Sequence, residues 1–127
     1  MENEQKSILI VEDDELLLKI LHDEFAKSNM KVILAHNGEE GLEAALSQHP
    51  SIILIDILMP KMDGITMLQK IREDVDGKNI PAIILTNVND TETVIKALET
   101  GAYDFLVKSD WDPKDLVKRV KEKIGIN

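Results

Sequence analysis

Five residues of this sequence have the types and spacing to do chemistry together: Glu12, Asp13, Asp56, Thr86 and Lys108. Each stands where a short apolar run stops. Ile8-Leu9-Ile10-Val11 runs into Glu12 and Asp13, and Ile52-Ile53-Leu54-Ile55 runs into Asp56. Ala82-Ile83-Ile84-Leu85 ends in Thr86, and the run from Tyr103 to Val107 ends in Lys108. Continuous apolar runs of this length read as strands buried on both faces. A carboxylate inside such a strand would be costly to bury, but at its end it can face a crevice. Three carboxylates brought together repel one another, so a cation should join them. Oxygen donors without histidine or cysteine favour Mg²⁺, which takes one or two carboxylates and completes its shell with water and phosphate oxygens. A carboxylate can also act as a nucleophile and carry a phosphoryl group as an acyl phosphate. The Lys108 ammonium and the Thr86 hydroxyl would then stabilise the charge of that group. Singly, each residue has an ordinary explanation: an acid at a helix start, a turn aspartate, a solvated lysine. Their common placement is what points to a site.

The elements that must position them follow from the periodicity. Leu17, Leu18, Leu21 and Phe25 form a helical stripe after the first strand. Lys31 to His36 is a second strand, and Asn37 caps a helix with Glu40 at its third position. The central strand covers about Ser51 to Ile55, and a helix begins near Gly64. Pro81 starts the fourth strand. Asn89 and Asp90 are candidate caps for a helix carrying Val94, Ile95 and Leu98. Tyr103 to Val107 is the fifth strand, and Asp112-Pro113 opens a last helix. That helix is expected to bury Leu116, Val120 and Ile124 and to expose Lys118, Arg119, Lys121 and Lys123. Strict alternation predicts an α/β fold: a flavodoxin-like, doubly wound, five-stranded parallel sheet in the order 2-1-3-4-5, with helices on both faces. Ligands bind such sheets outside the carboxyl ends of the strands, where all five residues lie.

Length and composition set the outer limits. The 127 residues are expected to form one domain, 1–127, with its core from about 6 to 124. A formal net charge of −9 argues against direct contact with nucleic acid. With no cysteine, neither disulfides nor thiolate metal sites can form. No apolar run approaches the length of a membrane span, and the polar start lacks a signal-peptide core, so a cytoplasmic protein is expected.

Four stretches carry a family likeness: Ile8 to Asp14, Ile55 to Gly64, Ile84-Leu85-Thr86, and Gly101 to Lys108. The chain resembles a response-regulator receiver domain (CheY-like) of two-component signalling over nearly its whole length. The segment Asp56-Ile57-Leu58-Met59-Pro60-Lys61-Met62-Asp63-Gly64 is the most specific part. The resemblance implies that Asp56 accepts a phosphoryl group from a sensor histidine kinase or phosphotransfer protein. It implies Mg²⁺ held by Asp13 and Asp56, by the backbone carbonyl of Leu58, and by Glu12 through water. Thr86 and Lys108 match the residues that contact the phosphoryl group, and Thr86 and Phe105 match the switch pair. A downstream protein would then bind the face made by the fourth helix, fifth strand and fifth helix, in a protein that signals rather than catalyses turnover. The sequence departs from the family where proline usually follows the lysine, since Ser109 stands there, and where a small residue often follows the threonine, since Asn87 stands there. The resemblance also implies that Leu58 and Val88 flank the approach of water to the acyl phosphate, and neither side chain can hydrogen-bond.

Three other readings fit the residues less well. A phosphatase of the haloacid-dehalogenase kind would need an acid two residues after Asp56, where Leu58 stands. A flavin- or nucleotide-binding protein would need glycine after Val11, where the chain is acidic. A scaffold that never uses phosphate would have no need of the intact cluster. The sequence holds no effector segment, so the receiver acts alone or belongs to a larger regulator.

Overall fold

The computed structural model describes residues 5–86, 91–110 and 112–126. Its elements run β1 (Ser7–Val11), α1 (Glu15–Lys27), β2 (Lys31–Ala35), α2 (Gly38–Gln48), β3 (Ile52–Asp56), α3 (Gly64–Glu73), β4 (Ala82–Thr86), α4 (Thr91–Glu99), β5 (Asp104–Val107) and α5 (Pro113–Ile124). A single 3₁₀ turn, Lys108–Asp110, follows β5. All strand pairs are parallel, in the order β2-β1-β3-β4-β5. This is the doubly wound, flavodoxin-like arrangement expected from the alternation.

Two apolar layers hold the sheet. Side chains alternate across a strand, so Ile8 and Ile10 face one layer and Leu9 and Val11 the other. One layer packs Leu18, Leu21 and Phe25 of α1 with Leu116, Val117 and Val120 of α5. The second packs Ala45 of α2 with Met67, Leu68 and Ile71 of α3. Every residue of β3 is buried, as a central parallel strand must be. Burying each Ile or Leu there is worth roughly 1.5–3 kcal/mol.

Caps fix the helix starts near the sheet's carboxyl edge. Asp14 Oδ1 accepts from the N–H groups of Leu16 (3.0 Å) and Leu17 (3.2 Å) and begins α1. Asn37 accepts from Glu40 N–H at 2.9 Å, as its sequence position suggests. Glu40 reaches back one residue further than a capping box would, to His36 N–H at 2.9 Å. Asp112 accepts from Asp115 N–H, with Pro113 opening α5. The candidate caps Asn89 and Asp90, together with Asn87 and Val88, lie outside the described residues.

The edge of the sheet departs from expectation. β3 starts and ends one residue later than the periodicity suggests, so Asp56 is the last residue of the strand. β5 begins at Asp104, leaving Tyr103 exposed. α4 buries only Ala97, while Ile95 and Leu98 are 49% and 40% exposed. β5 is itself an edge strand and only half-buried, so it offers α4 little surface to cover. α5 buries Val117, which its spacing did not single out, and leaves Ile124 half-buried. Lys118 and Arg119 are exposed as expected, but Lys121 and Lys123 are half-buried. The Lys123 ammonium sits over the Tyr103 ring, 2.9 Å from its centre, and Arg119 pairs with Asp104.

Candidate functional site

The register explains why distant residues meet. Val11 lies opposite Ile55, so Glu12 and Asp56 leave neighbouring strands side by side. Asp56 is opposite Leu85, and Thr86 is opposite Val107, the residue before Lys108. Four consecutive strand ends therefore deliver Glu12, Asp13, Asp56, Thr86 and Lys108 to one place. Glu12 is fully buried, Asp56 is 5% exposed and Thr86 is 3% exposed. Asp13 stands at the exposed rim.

The Lys108 ammonium lies between two of the acids. Its Nζ is 2.8 Å from Glu12 Oε1 and 3.4 Å from Asp56 Oδ2. Glu12 Oε2 accepts the Asp14 N–H at 3.1 Å, which ties the acid to the start of α1. Oε1 has the ammonium close by but no hydrogen bond of good geometry. The acidic run Glu12 to Glu15 is thus divided. Glu12 and Asp13 belong to the crevice, and Asp14 and Glu15 belong to the first turn of α1.

Carboxylate oxygens of Glu12, Asp13 and Asp56 all lie within 4.8 Å of one another. One ammonium does not neutralise three carboxylates. Burial pushes the Asp56 carboxyl up to about 7, and Glu12 and then Asp13 add to the rise against the opposing pull of Lys108. Burial works against the Lys108 ammonium too, yet the close Glu12 and Asp56 carboxylates outweigh it and hold its pKa above the ordinary value. An all-oxygen cluster with excess negative charge and an under-bonded buried oxygen is suited to a hard divalent cation.

The turn after Asp56 carries the Leu58 carbonyl. Ile57 N–H donates to Leu85 O at 3.3 Å, and Ile57 O accepts from Gly64 N–H at 2.9 Å. The Leu58 carbonyl accepts nothing among the described residues, so its lone pairs are available. The Leu58 side chain is 68% exposed. Gly64 allows this turn to close: a Cβ there would come within 2.4 Å of Asp56 O and 2.8 Å of Ile55 Cγ2. The sequence signal for it was the Asp63-Gly64 pair, which marks a helix start without revealing the tight approach. Phe105 is half-buried against the layer formed by α2 and α3, opposite Ile84 and two residues before the partner of Thr86. No described peptide bond is cis, including Lys108–Ser109.

The sequence pattern that defines the response regulator receiver domain matches residues 8–121. The chain belongs to the response regulator receiver domain family. The receiver is 36% identical over 121 residues to a probable transcriptional regulator, ycf27, of Pyropia yezoensis; the match covers 95% of this chain and 48% of that protein. It therefore spans about half the length of the curated relatives it matches. A CheY-like receiver domain protein from Methanospirillum hungatei superposes with a TM-score of 0.89 at 28% identity, covering 96% and 95% of the two chains. The receiver domain of a sensor histidine kinase from Pseudomonas aeruginosa, solved with magnesium in its active-site cleft, superposes with a TM-score of 0.86 at 25% identity, covering 96% and 99%. No described helix of this receiver is long and apolar enough to cross a membrane.

The raised Asp56 pKa has a consequence for stability. The folded protein holds that proton more tightly than the unfolded chain, whose aspartate titrates near 3.8. Without added metal, the contribution of Asp56 is therefore lost as pH rises from about 4 to about 7, and it stays lost above that. Asp56→Asn should be more stable than the parent at pH 8, by on the order of 2 kcal/mol, and should lose that advantage near pH 4. Urea denaturation at both pH values, with chelator present, measures the difference.

Proposed function

We propose that this receiver takes a phosphoryl group on Asp56 from a histidine kinase or phosphotransfer protein and signals by altering a protein-binding surface. The observation that carries the reading is the buried Asp56 carboxylate beside Lys108 and two further acids at the ends of adjacent strands. An Asp56 oxygen attacks phosphorus, the N–P bond of the phosphohistidine breaks, and the imidazole nitrogen keeps the electron pair and takes a proton. Lys108 then moves its charge toward the new phosphoryl oxygens, and the Thr86 hydroxyl donates to them. Asp13, Asp56 and the Leu58 carbonyl would hold Mg²⁺ directly, with Glu12 reaching it through water. When bound, the ion supplies charge neutralisation at the phosphoryl oxygens. Three oxygen donors and the under-bonded Glu12 Oε1 suit that ion, and the magnesium-bound Pseudomonas aeruginosa receiver adds support from a relative. The domain assists its own phosphorylation and dephosphorylation and turns over no other substrate.

The output surface is α4, β5 and α5. Ile95 and Leu98 on α4 and Tyr103 just before β5 are exposed apolar groups there, and Thr86 at the end of β4 lies between Asp56 on β3 and β5, which carries Phe105. A phosphorylated state must favour one arrangement of that face over another. The loosely buried α4 is the element with the least packing to lose. The net charge supports a protein partner over nucleic acid, and the reading places the receiver in the cytoplasm as one domain.

Incubation with a small-molecule phosphodonor and Mg²⁺ should add one phosphate by intact mass, and Asp56→Asn should gain none. A gain that survives in Asp56→Asn removes the assignment. Amide resonances of the phosphorylated sample should shift along α4, β5 and α5 and not only beside Asp56.

The acyl phosphate should also be long-lived, because the exposed Leu58 side chain cannot orient an attacking water. Leu58→Asn should lose phosphate faster, by about threefold to tenfold, after the donor is removed at constant Mg²⁺. Unchanged or slower loss would show that Leu58 does not guard the bond.

A further inference from the structure

In the proposed site the turn from Ile57 to Asp63 carries the Leu58 carbonyl, and it has little regular structure of its own. Its hydrogen bonds lie at the ends, from Ile57 N–H to Leu85 O and from Gly64 N–H to Ile57 O. Within it, Met62 N–H reaches Pro60 O at 2.7 Å and Lys61 adopts φ 68. The middle of the turn is supported from the side by the first turn of α2. A Cβ on Gly38 would lie 2.2 Å from Met62 O, 2.8 Å from Met62 C and 2.7 Å from Met62 Cβ. The backbones of Gly38 and Met62 are therefore in direct contact, with no room for a side chain between them.

Gly38 is not needed for its own conformation, since it is a helical residue without positive φ. Glycine in a helix is less favourable than alanine by about 1 kcal/mol. The close contact explains its presence. The same turn of α2 is fixed to the other half of the cluster. A Cβ on Gly41 would lie 2.9 Å from Val11 Cγ2, on the residue before Glu12. The buried Asn37 caps this turn at Glu40 N–H, and Glu40 binds His36 N–H. One rigid helix start thus touches the strand that delivers Glu12 and Asp13 and the loop that follows Asp56.

We propose that Gly38 is a positioning residue for the phosphoryl-transfer site: its bare backbone seats Met62 and so sets the distance between the Leu58 carbonyl and the acids of β1. This rests on the reading of the cluster as a Mg²⁺-assisted phosphoacceptor site. Gly38→Ala would push Met62 outward by its backbone, which cannot yield as a flexible side chain can. Gly77→Ala is the matched control. Its Cβ would also meet backbone, 2.5 Å from Ile71 O, but in the turn that precedes β4, at the other edge of the sheet from the cluster.

Both alanine variants should melt at lower temperature than the parent. Only Gly38→Ala should shift the amide resonances of residues 57–63 in the metal-free protein, and only it should weaken Mg²⁺ binding, by about tenfold. Saturating Mg²⁺ should restore most of its phosphorylation rate. Met62→Gly, which loses the Cβ seat and loosens the turn while sparing α2, should weaken Mg²⁺ binding in the same direction and covers the case in which Gly38→Ala fails to fold. Parent-like Mg²⁺ affinity in Gly38→Ala or Met62→Gly, or equal weakening in Gly77→Ala, would overturn the proposal. If the parent neither binds Mg²⁺ nor accepts phosphate, the reading of the site falls. The metal-free resonances still decide whether Gly38 sets the turn.

Discussion

The ion pairs of Lys108 with Glu12 and Asp56 hold together a group of charges that would otherwise drive the sheet's edge apart. A carboxylate buried alone changes its protonation or opens its surroundings to water. Here two buried carboxylates and a third at the rim share one ammonium. The ammonium offsets part of the repulsion, and the remaining negative charge is what makes the crevice receptive to a cation. Removing the Lys108 ammonium would leave the buried carboxylates without a compensating charge, a change that costs several kcal/mol in typical proteins. The pair is thus a compromise between folding and receptivity: enough positive charge to keep the strands together, too little to satisfy the acids.

The fold exists, in this sense, to bring that pair together across the chain. Glu12 and Lys108 are at opposite ends of the sequence. They meet because parallel strands put all carboxyl termini on one edge and the order β2-β1-β3-β4-β5 seats β3 and β4 between them. The packing is graded to match. β1, β3 and β4 are almost wholly buried and fix the acids and Thr86. β5 is half-buried and α4 hardly buried at all, so the side of the sheet that carries Lys108 is the one with freedom to respond. Local stability drawn from few apolar contacts is the usual property of elements that move.

Much of this was legible in the sequence because apolar runs that stop at polar residues report both a strand and its end. Glu12, Asp56, Thr86 and Lys108 could be placed on one edge from that pattern alone. The helix start at Asp112-Pro113 was equally plain, since cap and proline have local causes. Less local facts were not readable. Nothing in the run Glu12 to Glu15 tells which acids face the crevice and which begin α1; the strand's pleat and the cap geometry decide that. The stripe Val94, Ile95 and Leu98 looks like core, but burial depends on what the edge strand offers it. Gly38 reads as the residue that follows the Asn37 cap, and its contact with Met62 appears only when α2 and the turn after β3 are laid together. The extent to which Asp56 is driven toward protonation likewise depends first on its own burial and then on the charge of Glu12 beside it, both properties of the assembled sheet.

In the proposed reading, a cation relieves the crowding of charge around Asp56. The most direct measurement is the titration of the Asp56 side-chain carboxyl carbon by NMR, with and without Mg²⁺. Without metal the carbon should titrate near pH 7, and saturating Mg²⁺ should bring its midpoint down into or below the usual carboxylate range. A midpoint near 4 in the metal-free protein, unmoved by Mg²⁺, would contradict the account.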